Sequence, residues 1–183
     1  MSCRPAIIDN WLAACGEKPS ILASVALIAL GSNLESEHGS PVEAVKSAFA
    51  SLQELSNKPV LYSSIISSQP LECPPGSPDF ANAVLLLIPR EGETARSLLA
   101  CLHQIEAQFG RKRSGLVNEP RVLDLDLIAF GQQTSSDKNL LLPHPRAARR
   151  EFVLQPLCEL WPQYSFPDGS GTAQILLNRL RAA

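Results

Sequence analysis

The regular structure of this chain begins with an apolar run that ends in a turn, VALIALGSN at residues 25–33. A short apolar run closed by glycine and asparagine is typical of a buried strand that enters a tight turn. A helix start follows at SPVE, residues 40–43, where an N-cap hydroxyl, a proline at the first helical position and a glutamate three residues after the cap agree. The sequence therefore predicts a strand followed by a helix that ends before Pro59.

The later segments extend this pattern to β-α-β-β-α-β. They are a strand at 60–68, a strand at 81–88, a helix around 98–109 closed by Gly110, and a strand at 122–130. This order predicts an α+β, ferredoxin-like sandwich with a mainly antiparallel sheet and its helices on one face. Extra C-terminal helices are expected within 143–160 and at 173–180.

Length and composition indicate an ordinary globular protein of 183 residues with 45% apolar residues and a net charge of −2. We predict a single domain at 25–183, preceded at 1–24 by an N-terminal extension of unknown role. The near-neutral charge argues against a global electrostatic grip on nucleic acid or on a membrane surface. Five dispersed cysteines are typical of reduced thiols, which predicts a cytoplasmic protein.

Two aspartates in the last predicted strand form the first candidate site. Residues two apart in a strand share a face, so Asp124 and Asp126 project together while the leucines between and beside them are buried. Paired carboxylates on a rigid strand suit Mg²⁺, which takes one or two protein carboxylates and completes its octahedron with water and phosphate oxygens. The alternative is a strand with one solvated face.

The charge distribution around this pair favours a phosphate ligand. Residues 111–150 hold eight of the 16 basic residues and four acidic ones, so this segment carries +4 while the rest of the chain carries −6. Arginine binds phosphate oxygens in a bidentate manner, and a carboxylate pair surrounded by arginines suits a polyphosphate–Mg²⁺ complex. A solvated basic loop is the alternative. The sequence has no glycine-rich GxxxxGK[ST] motif, so a P-loop is excluded.

Other polar and aromatic residues near predicted turns have two interpretations each. Asn82 and Phe80 follow a proline-rich stretch at 70–79, and they are either a turn residue and a core ring or an amide and a stacking ring for a flat heterocycle. Phe152 is ambiguous in the same way. His144, between two prolines, either donates to a phosphate or has a structural role.

Several motifs in order carry a family resemblance: GSN at 31–33, FANA at 80–83, IE at 105–106 leading to GR at 110–111, PRxxDLDL at 120–127, and PHP at 143–145 followed by Phe152. Over about residues 25–168 the chain resembles the 6-hydroxymethyl-7,8-dihydropterin pyrophosphokinases of folate biosynthesis. The resemblance implies a ferredoxin-like fold and Mg²⁺-dependent transfer of diphosphate from ATP to the pterin hydroxymethyl group, with release of AMP. It also implies a monomer whose partners are these two small molecules and not nucleic acid or a membrane.

The resemblance further implies roles for individual residues. Two Mg²⁺ ions are expected on Asp124 and Asp126, which form the catalytic group together with Arg111 and Arg121. The residues expected to bind ATP are His103, Glu106, Arg113, Arg121, His144 and Arg150. The residues expected to bind the pterin are Ser68, Gln69, Leu71, Phe80, Asn82 and Phe152.

The chain departs from the family pattern at a few positions. Asn118 and Glu119 stand where many members have Trp and Gly before the Pro-Arg pair, so we expect retained activity with altered loop behaviour. His103 replaces a glutamine on the expected adenosine side. The rival hypothesis is a catalytically silent ferredoxin-like module whose basic loop contacts RNA, and it predicts exposed aromatic residues on the sheet strands.

Overall fold

The computed structural model describes residues 7–111 and 119–183. The strands within these residues are β1 (Ala26–Ser32), β2 (Leu61–Tyr62), β3 (Ile66–Ser68), β4 (Phe80–Leu87), β5 (Asp124–Phe130), β6 (Ser135–Asp137) and β7 (Leu140–Leu142). The α-helices are α1 (Ile7–Cys15), α2 (Pro41–Gln53), α3 (Ala95–Gln108), α4 (Glu151–Leu160) and α5 (Ala173–Ala182). Short 3₁₀ helices lie at Pro19–Ser24 and Ala147–Arg149.

The main sheet has the strand order β2-β4-β1-β5, with β3 also paired to β4, and every pairing is antiparallel. Taken together, β2 and β3 occupy the place of the second strand of a ferredoxin-like sheet, so the predicted topology is confirmed. The hairpin formed by β6 and β7 is an addition that the sequence did not predict.

The predicted helix signals correspond to real caps. Ser40 accepts a hydrogen bond from the Glu43 amide while the Glu43 carboxylate accepts one from the Ser40 amide, which completes a capping box at the start of α2. Gly110 follows α3 with a φ of 80°, the left-handed conformation that favours glycine after a helix. The helix α2 ends at Gln53, several residues before the proline that was expected to stop it.

Helices cover both faces of the sheet. The helices α2 and α3 pack on one face, where Leu52 and Leu102 meet Leu85 in one buried cluster. The helices α1, α4 and α5 pack on the other face, where Trp11 and Leu154 join a second buried cluster. The sequence predicted helices on one face and did not predict the layer on the second.

The predicted strand at 60–68 was wrong in one respect, because the structure divides it into β2 and β3. The amide and hydroxyl of Ser64 both donate to the carboxylate of Glu159 in α4, at 3.0 Å for N to Oε1 and 2.5 Å for Oγ to Oε2. The Ser64 amide therefore points at a helix side chain instead of a neighbouring strand. A contact between residues 95 positions apart gives no periodic signal in the sequence.

In the part of the chain that the structure describes, no helix is long and apolar enough to cross a membrane.

The contact of α1 with the sheet layer predicts a role in stability for part of the N-terminal segment. The indole Nε1 of Trp11, which is 5% exposed, donates to the Pro59 carbonyl at 2.6 Å. Trp11→Ala should lower the free energy of unfolding by about 3 kcal/mol through lost packing and the lost hydrogen bond. Urea unfolding followed by circular dichroism measures this change.

The control lies in the same helix. Ile7 is 44% exposed, so Ile7→Ala should change the free energy of unfolding by less than about 0.5 kcal/mol. If Trp11→Ala were as stable as Ile7→Ala, α1 would not be part of the cooperative core.

Candidate active site

The candidate site lies where β1 ends and where β4 and β5 begin. In the register of the sheet, Gly31 of β1 stands between Asn82 of β4 and Asp124 of β5. Two residues earlier in β1, Ala29 stands opposite Asp126. A row of small residues in the middle strand therefore separates the carboxylate pair from the polar side chain of β4.

The small residues leave room above the sheet. A Cβ atom on Gly31 would lie 3.4 Å from Asn82 Oδ1 and 3.9 Å from Asp124 Cβ, so a larger side chain would fill the space between the two walls. A cavity of about 200 Å³ occupies this space. Its lining comprises Ala29, Leu30, Gly31, Ser68, Gln69, Leu71, Cys73, Phe80, Asn82, Arg111, Arg121, Asp124, Asp126, Arg146, Arg150 and Phe152.

Two arginines engage Asp124, one at each carboxylate oxygen. Arg111 Nη1 lies 2.5 Å from Oδ1, and Arg121 Nη1 lies 3.3 Å from Oδ2. The same Nη1 of Arg111 also donates to Oε1 of Glu106. Arg111 therefore bridges a carboxylate from α3 and a carboxylate from β5.

Glu106 is a buried acid on α3 that also contacts the backbone of β5. Its side chain is 3% exposed, and its Oε1 accepts a hydrogen bond from the Leu125 amide at 2.8 Å. Burial lowers the pKa of Arg111, but the neighbouring charges of Asp124 and Glu106 outweigh burial and raise it. The guanidinium is thus held firmly in its charged form between the two acids.

Asp126 is a carboxyl group whose ionised form is disfavoured in the folded protein. Burial, and then the charge of Asp124, raise its pKa, although His144, Arg150 and Arg121 oppose this effect. Arg150 Nη1 is 3.5 Å from Asp126 Oδ2. Burial lowers the pKa of His144 even though Asp126 is a nearby negative charge. A divalent cation between the aspartates would relieve the repulsion between them.

The backbone around Arg121 is fixed by a residue that sequence reasoning missed. Asn33, which is 2% exposed, makes two hydrogen bonds with the backbone of Arg121. Its side-chain Oδ1 accepts from the Arg121 backbone N–H at 2.8 Å, and its backbone N–H donates to the Arg121 carbonyl at 3.0 Å. Its Nδ2 donates to the Pro78 carbonyl at 3.2 Å. The sequence shows only an asparagine directly after a buried strand, a pattern that indicates a turn and not a contact with Arg121.

An oriented amide and two aromatic rings also line the cavity. Asn82 is 3% exposed, and its Nδ2 donates to Ser68 Oγ at 2.8 Å. Phe80 and Phe152 both line the cavity. The guanidinium of Arg121 lies 5.6 Å from the Phe80 ring centroid, and that of Arg150 lies 5.3 Å from the Phe152 ring centroid.

Most of the residues expected from the sequence come together, but some lie elsewhere. The cavity brings together Ser68, Gln69, Leu71, Phe80, Asn82, Arg111, Arg121, Asp124, Asp126, Arg150 and Phe152. A neighbouring cavity of about 210 Å³ is lined by His103, Glu106, Ala107 and Arg111, so Arg111 borders both. Arg113 and Asn118 lie outside the described residues.

His144 is not among the lining residues of either cavity, although it lies near Asp126. Arg146 is a lining residue that sequence reasoning missed, and its Nη1 is 3.5 Å from Glu72 Oε2. It is one of several arginines in the basic segment, and nothing in its local sequence distinguished it from the others.

Among residues 7–111 and 119–183, no group of three or more histidines, cysteines, aspartates or glutamates is arranged to hold a metal ion. The donor set that faces the cavity is the carboxylate pair Asp124 and Asp126. Two hard oxygen donors suit an ion that takes its other ligands from water and from a phosphate-bearing substrate, which is the coordination typical of Mg²⁺.

Comparison with known proteins gives the same picture. The family model of 7,8-dihydro-6-hydroxymethylpterin-pyrophosphokinase (HPPK) matches residues 27–162. A 2-amino-4-hydroxy-6-hydroxymethyldihydropteridine pyrophosphokinase of Pseudomonas aeruginosa is 38% identical over 149 residues, which is 81% of this chain and 88% of the relative. The enzyme of the same name from Haemophilus influenzae is also 38% identical, over 82% of this chain and 90% of the relative.

A solved structure agrees at the level of the fold. Wild-type Plasmodium falciparum HPPK-DHPS with SDX-DHP has a TM-score of 0.66 and 14% sequence identity, over 85% of this chain and 44% of the Plasmodium chain. This chain thus spans less than half the length of that longer protein. On the strength of the family match and the curated relatives, the chain belongs to the HPPK family, the pyrophosphokinases of folate biosynthesis.

Proposed function

We propose that this chain transfers the terminal diphosphate of ATP to the hydroxymethyl group of 6-hydroxymethyl-7,8-dihydropterin in an Mg²⁺-dependent reaction that releases AMP. The observation that carries the proposal is the cavity itself. Its lining residues include two carboxylates, a buried amide, two phenylalanine rings and four arginines.

The amide wall is proposed to bind the pterin. A pterin is a flat ring with hydrogen-bond donors and acceptors along one edge. The buried side chain of Asn82 offers its Oδ1 as an acceptor, because its Nδ2 donates to Ser68 Oγ and to the Phe80 carbonyl. Phe80 and Phe152 present ring faces for stacking. Ser68 holds the amide of Asn82, and Gln69 and Leu71 complete this side of the cavity.

The arginines are proposed to neutralise the triphosphate of ATP and the group in transfer. Arg121 has a buried Nε without a hydrogen-bond partner among the described residues. This N–H can therefore donate to a phosphate oxygen. Arg111 borders both cavities, which places it between the proposed pterin side and the side lined by His103 and Glu106. Arg150 extends the positive wall beside Asp126, and Arg113 and His144 stay predictions as ATP contacts.

Transfer to a hydroxyl requires little covalent chemistry from the protein. The attacking oxygen, the β-phosphorus and the leaving AMP oxygen must be in line, and the charge on the transferring group must be neutralised. Asn82 and the rings would orient the hydroxymethyl group, while Arg111 and Arg121 would stabilise the negative charge on the phosphoryl oxygens. The walls of the cavity would limit access of water to the transferring group, which would reduce the competing hydrolysis of ATP.

We propose that Asp124 and Asp126 hold the metal, with two Mg²⁺ ions expected from the family. The fit rests on two carboxylates that project from one strand into the cavity, and the raised pKa of Asp126, caused by burial and by Asp124, agrees with a missing positive charge there. When bound, Mg²⁺ neutralises the polyphosphate and polarises its phosphorus–oxygen bonds.

The rival, an RNA-binding module, needs an open sheet face with exposed aromatic residues. In this structure both faces of the sheet are packed against helices. The exposed ring of Tyr62 is stacked on Phe49 of α2 at 4.4 Å. These observations support the enzyme, and with it we propose a cytoplasmic monomer that acts on small molecules and not on nucleic acid.

The first prediction of this proposal concerns Asp124. Asp124→Asn should lower kcat by about a thousandfold or more, because an amide cannot replace the charge of a metal-binding carboxylate. The measurement is AMP formation from Mg-ATP and the hydroxymethyl dihydropterin, with circular dichroism to show that the fold is retained.

The matched control is Asp137→Asn, which changes an aspartate of the β6–β7 hairpin that pairs with Arg96 at 2.5 Å. This variant should keep the wild-type rate. Near-normal turnover of Asp124→Asn would remove this residue from the metal site, and ADP in place of AMP would indicate an ordinary kinase.

The second prediction is that the site lowers stability. Since burial and Asp124 raise the pKa of Asp126 in the folded state, the folded protein favours protonated Asp126 more than the unfolded chain does. The wild type therefore loses stability as the pH rises from the ordinary range of an aspartate through the raised pKa. Asp126→Asn should be more stable than the wild type at about pH 7 without Mg²⁺, and this gain should shrink toward about pH 4.

Urea unfolding in EDTA at the two pH values measures the difference, with Asp137→Asn as the control of opposite sign. A backbone hydrogen bond from Asn139, and then Arg96, lower the pKa of Asp137, so its loss should reduce stability at neutral pH. A wild type more stable than Asp126→Asn at neutral pH would contradict the prediction.

A further inference from the structure

Both carboxylate oxygens of Asp124 are in contact with arginine side chains of the protein itself. Arg111 lies 2.5 Å from one of its oxygens and Arg121 lies 3.3 Å from the other. A divalent cation that takes Asp124 as a ligand needs one of these oxygens. A cation at either oxygen would then lie beside a guanidinium of the same charge, and this repulsion favours movement of one guanidinium away from Asp124.

We propose that Arg111 neutralises Asp124 in the ligand-free enzyme and that it is retained by Glu106 alone once a divalent cation binds. This inference rests on the proposed metal site at Asp124 and Asp126. It makes Glu106 a positioning residue, which acts through Arg111.

Arg111, and not Arg121, is the group that exchanges partners. Arg111 has a second carboxylate in contact, whereas Arg121 is fixed at its backbone by Asn33 and lies over the Phe80 ring. The side chain of Arg111 is 14% exposed and lies between two acids, so it can leave one while its charge remains balanced by the other.

The Glu106 carboxylate is held in place and does not move to the metal site. Its side chain is 3% exposed, and its Oε1 also accepts the Leu125 amide at 2.8 Å, so any departure would leave a buried N–H without its acceptor. A cation at Asp124 would repel the guanidinium, and Glu106 would hold it at the edge of the cavity. Arg111 would thus be freed from Asp124 by the same event that brings the metal to the triphosphate.

The experiment measures binding of Mn²⁺ alone to the full chain, without nucleotide, from the electron paramagnetic resonance signal of free Mn²⁺. Arg111→Ala should bind Mn²⁺ about tenfold more tightly than the wild type, because the guanidinium at Asp124 Oδ1 no longer repels the cation. Glu106→Gln keeps an acceptor for the Leu125 amide but loses the charge that retains Arg111. It should bind Mn²⁺ about threefold more weakly.

The double variant separates positioning from simple charge. If Glu106 acts through Arg111, Glu106→Gln should leave Mn²⁺ affinity unchanged in the Arg111→Ala background, whereas a purely coulombic effect would persist there. Arg146→Ala is the matched control, because Arg146 lines the same cavity but pairs with Glu72. It should change the affinity by less than about twofold.

Three results would overturn the inference: equal affinities of the wild type and Arg111→Ala, equal tightening by Arg146→Ala, or an effect of Glu106→Gln that survives without Arg111. In each of these cases Mn²⁺ still binds, so the metal site itself stands. If no variant bound Mn²⁺, the proposed metal site would fail together with the inference.

Discussion

Alternate residues of an extended strand point to the same side of the sheet, and in β5 those residues are Asp124 and Asp126. The two negative charges that this geometry collects need compensation, and the fold supplies it from three directions. Arg111 arrives from the end of α3, Arg121 from the segment before β5, and Arg150 from the start of α4. Burial, and then the charge of Asp124, still raise the pKa of Asp126, which supports the cation proposed at this pair.

The same strand geometry requires small neighbours. Gly31 stands beside Asp124 in the central strand, and a Cβ there would close the gap toward Asn82. Directly after this strand, Asn33 exchanges two backbone-directed hydrogen bonds with Arg121. One short segment therefore provides both the open floor and the anchor for an arginine, because the residue that ends the strand is already at the edge of the cavity.

Local sequence patterns predicted the helices and strands, but they did not predict contacts between residues that lie far apart in the sequence. The cap at Ser40 and the shared face of Asp124 and Asp126 follow from spacings of three and two residues, and the structure has both. The link from Asn33 to Arg121 spans 88 positions, and Glu159 reaches Ser64 over 95. Such pairs depend on packing, and a periodic pattern in one segment carries no information on them.

The ferredoxin-like topology alone does not set the chemistry, since the same strand order can leave a sheet face open to a macromolecule. Here α4 packs on the face from which the aspartates project, and its first turn carries Arg150 and Phe152 to the cavity. The helix α4 thus covers one face of the sheet, and the residues at its start line the cavity. The cavity of about 200 Å³ suits the head of a small molecule. Packing of α4 on the second sheet face thus completes the wall of the proposed active site.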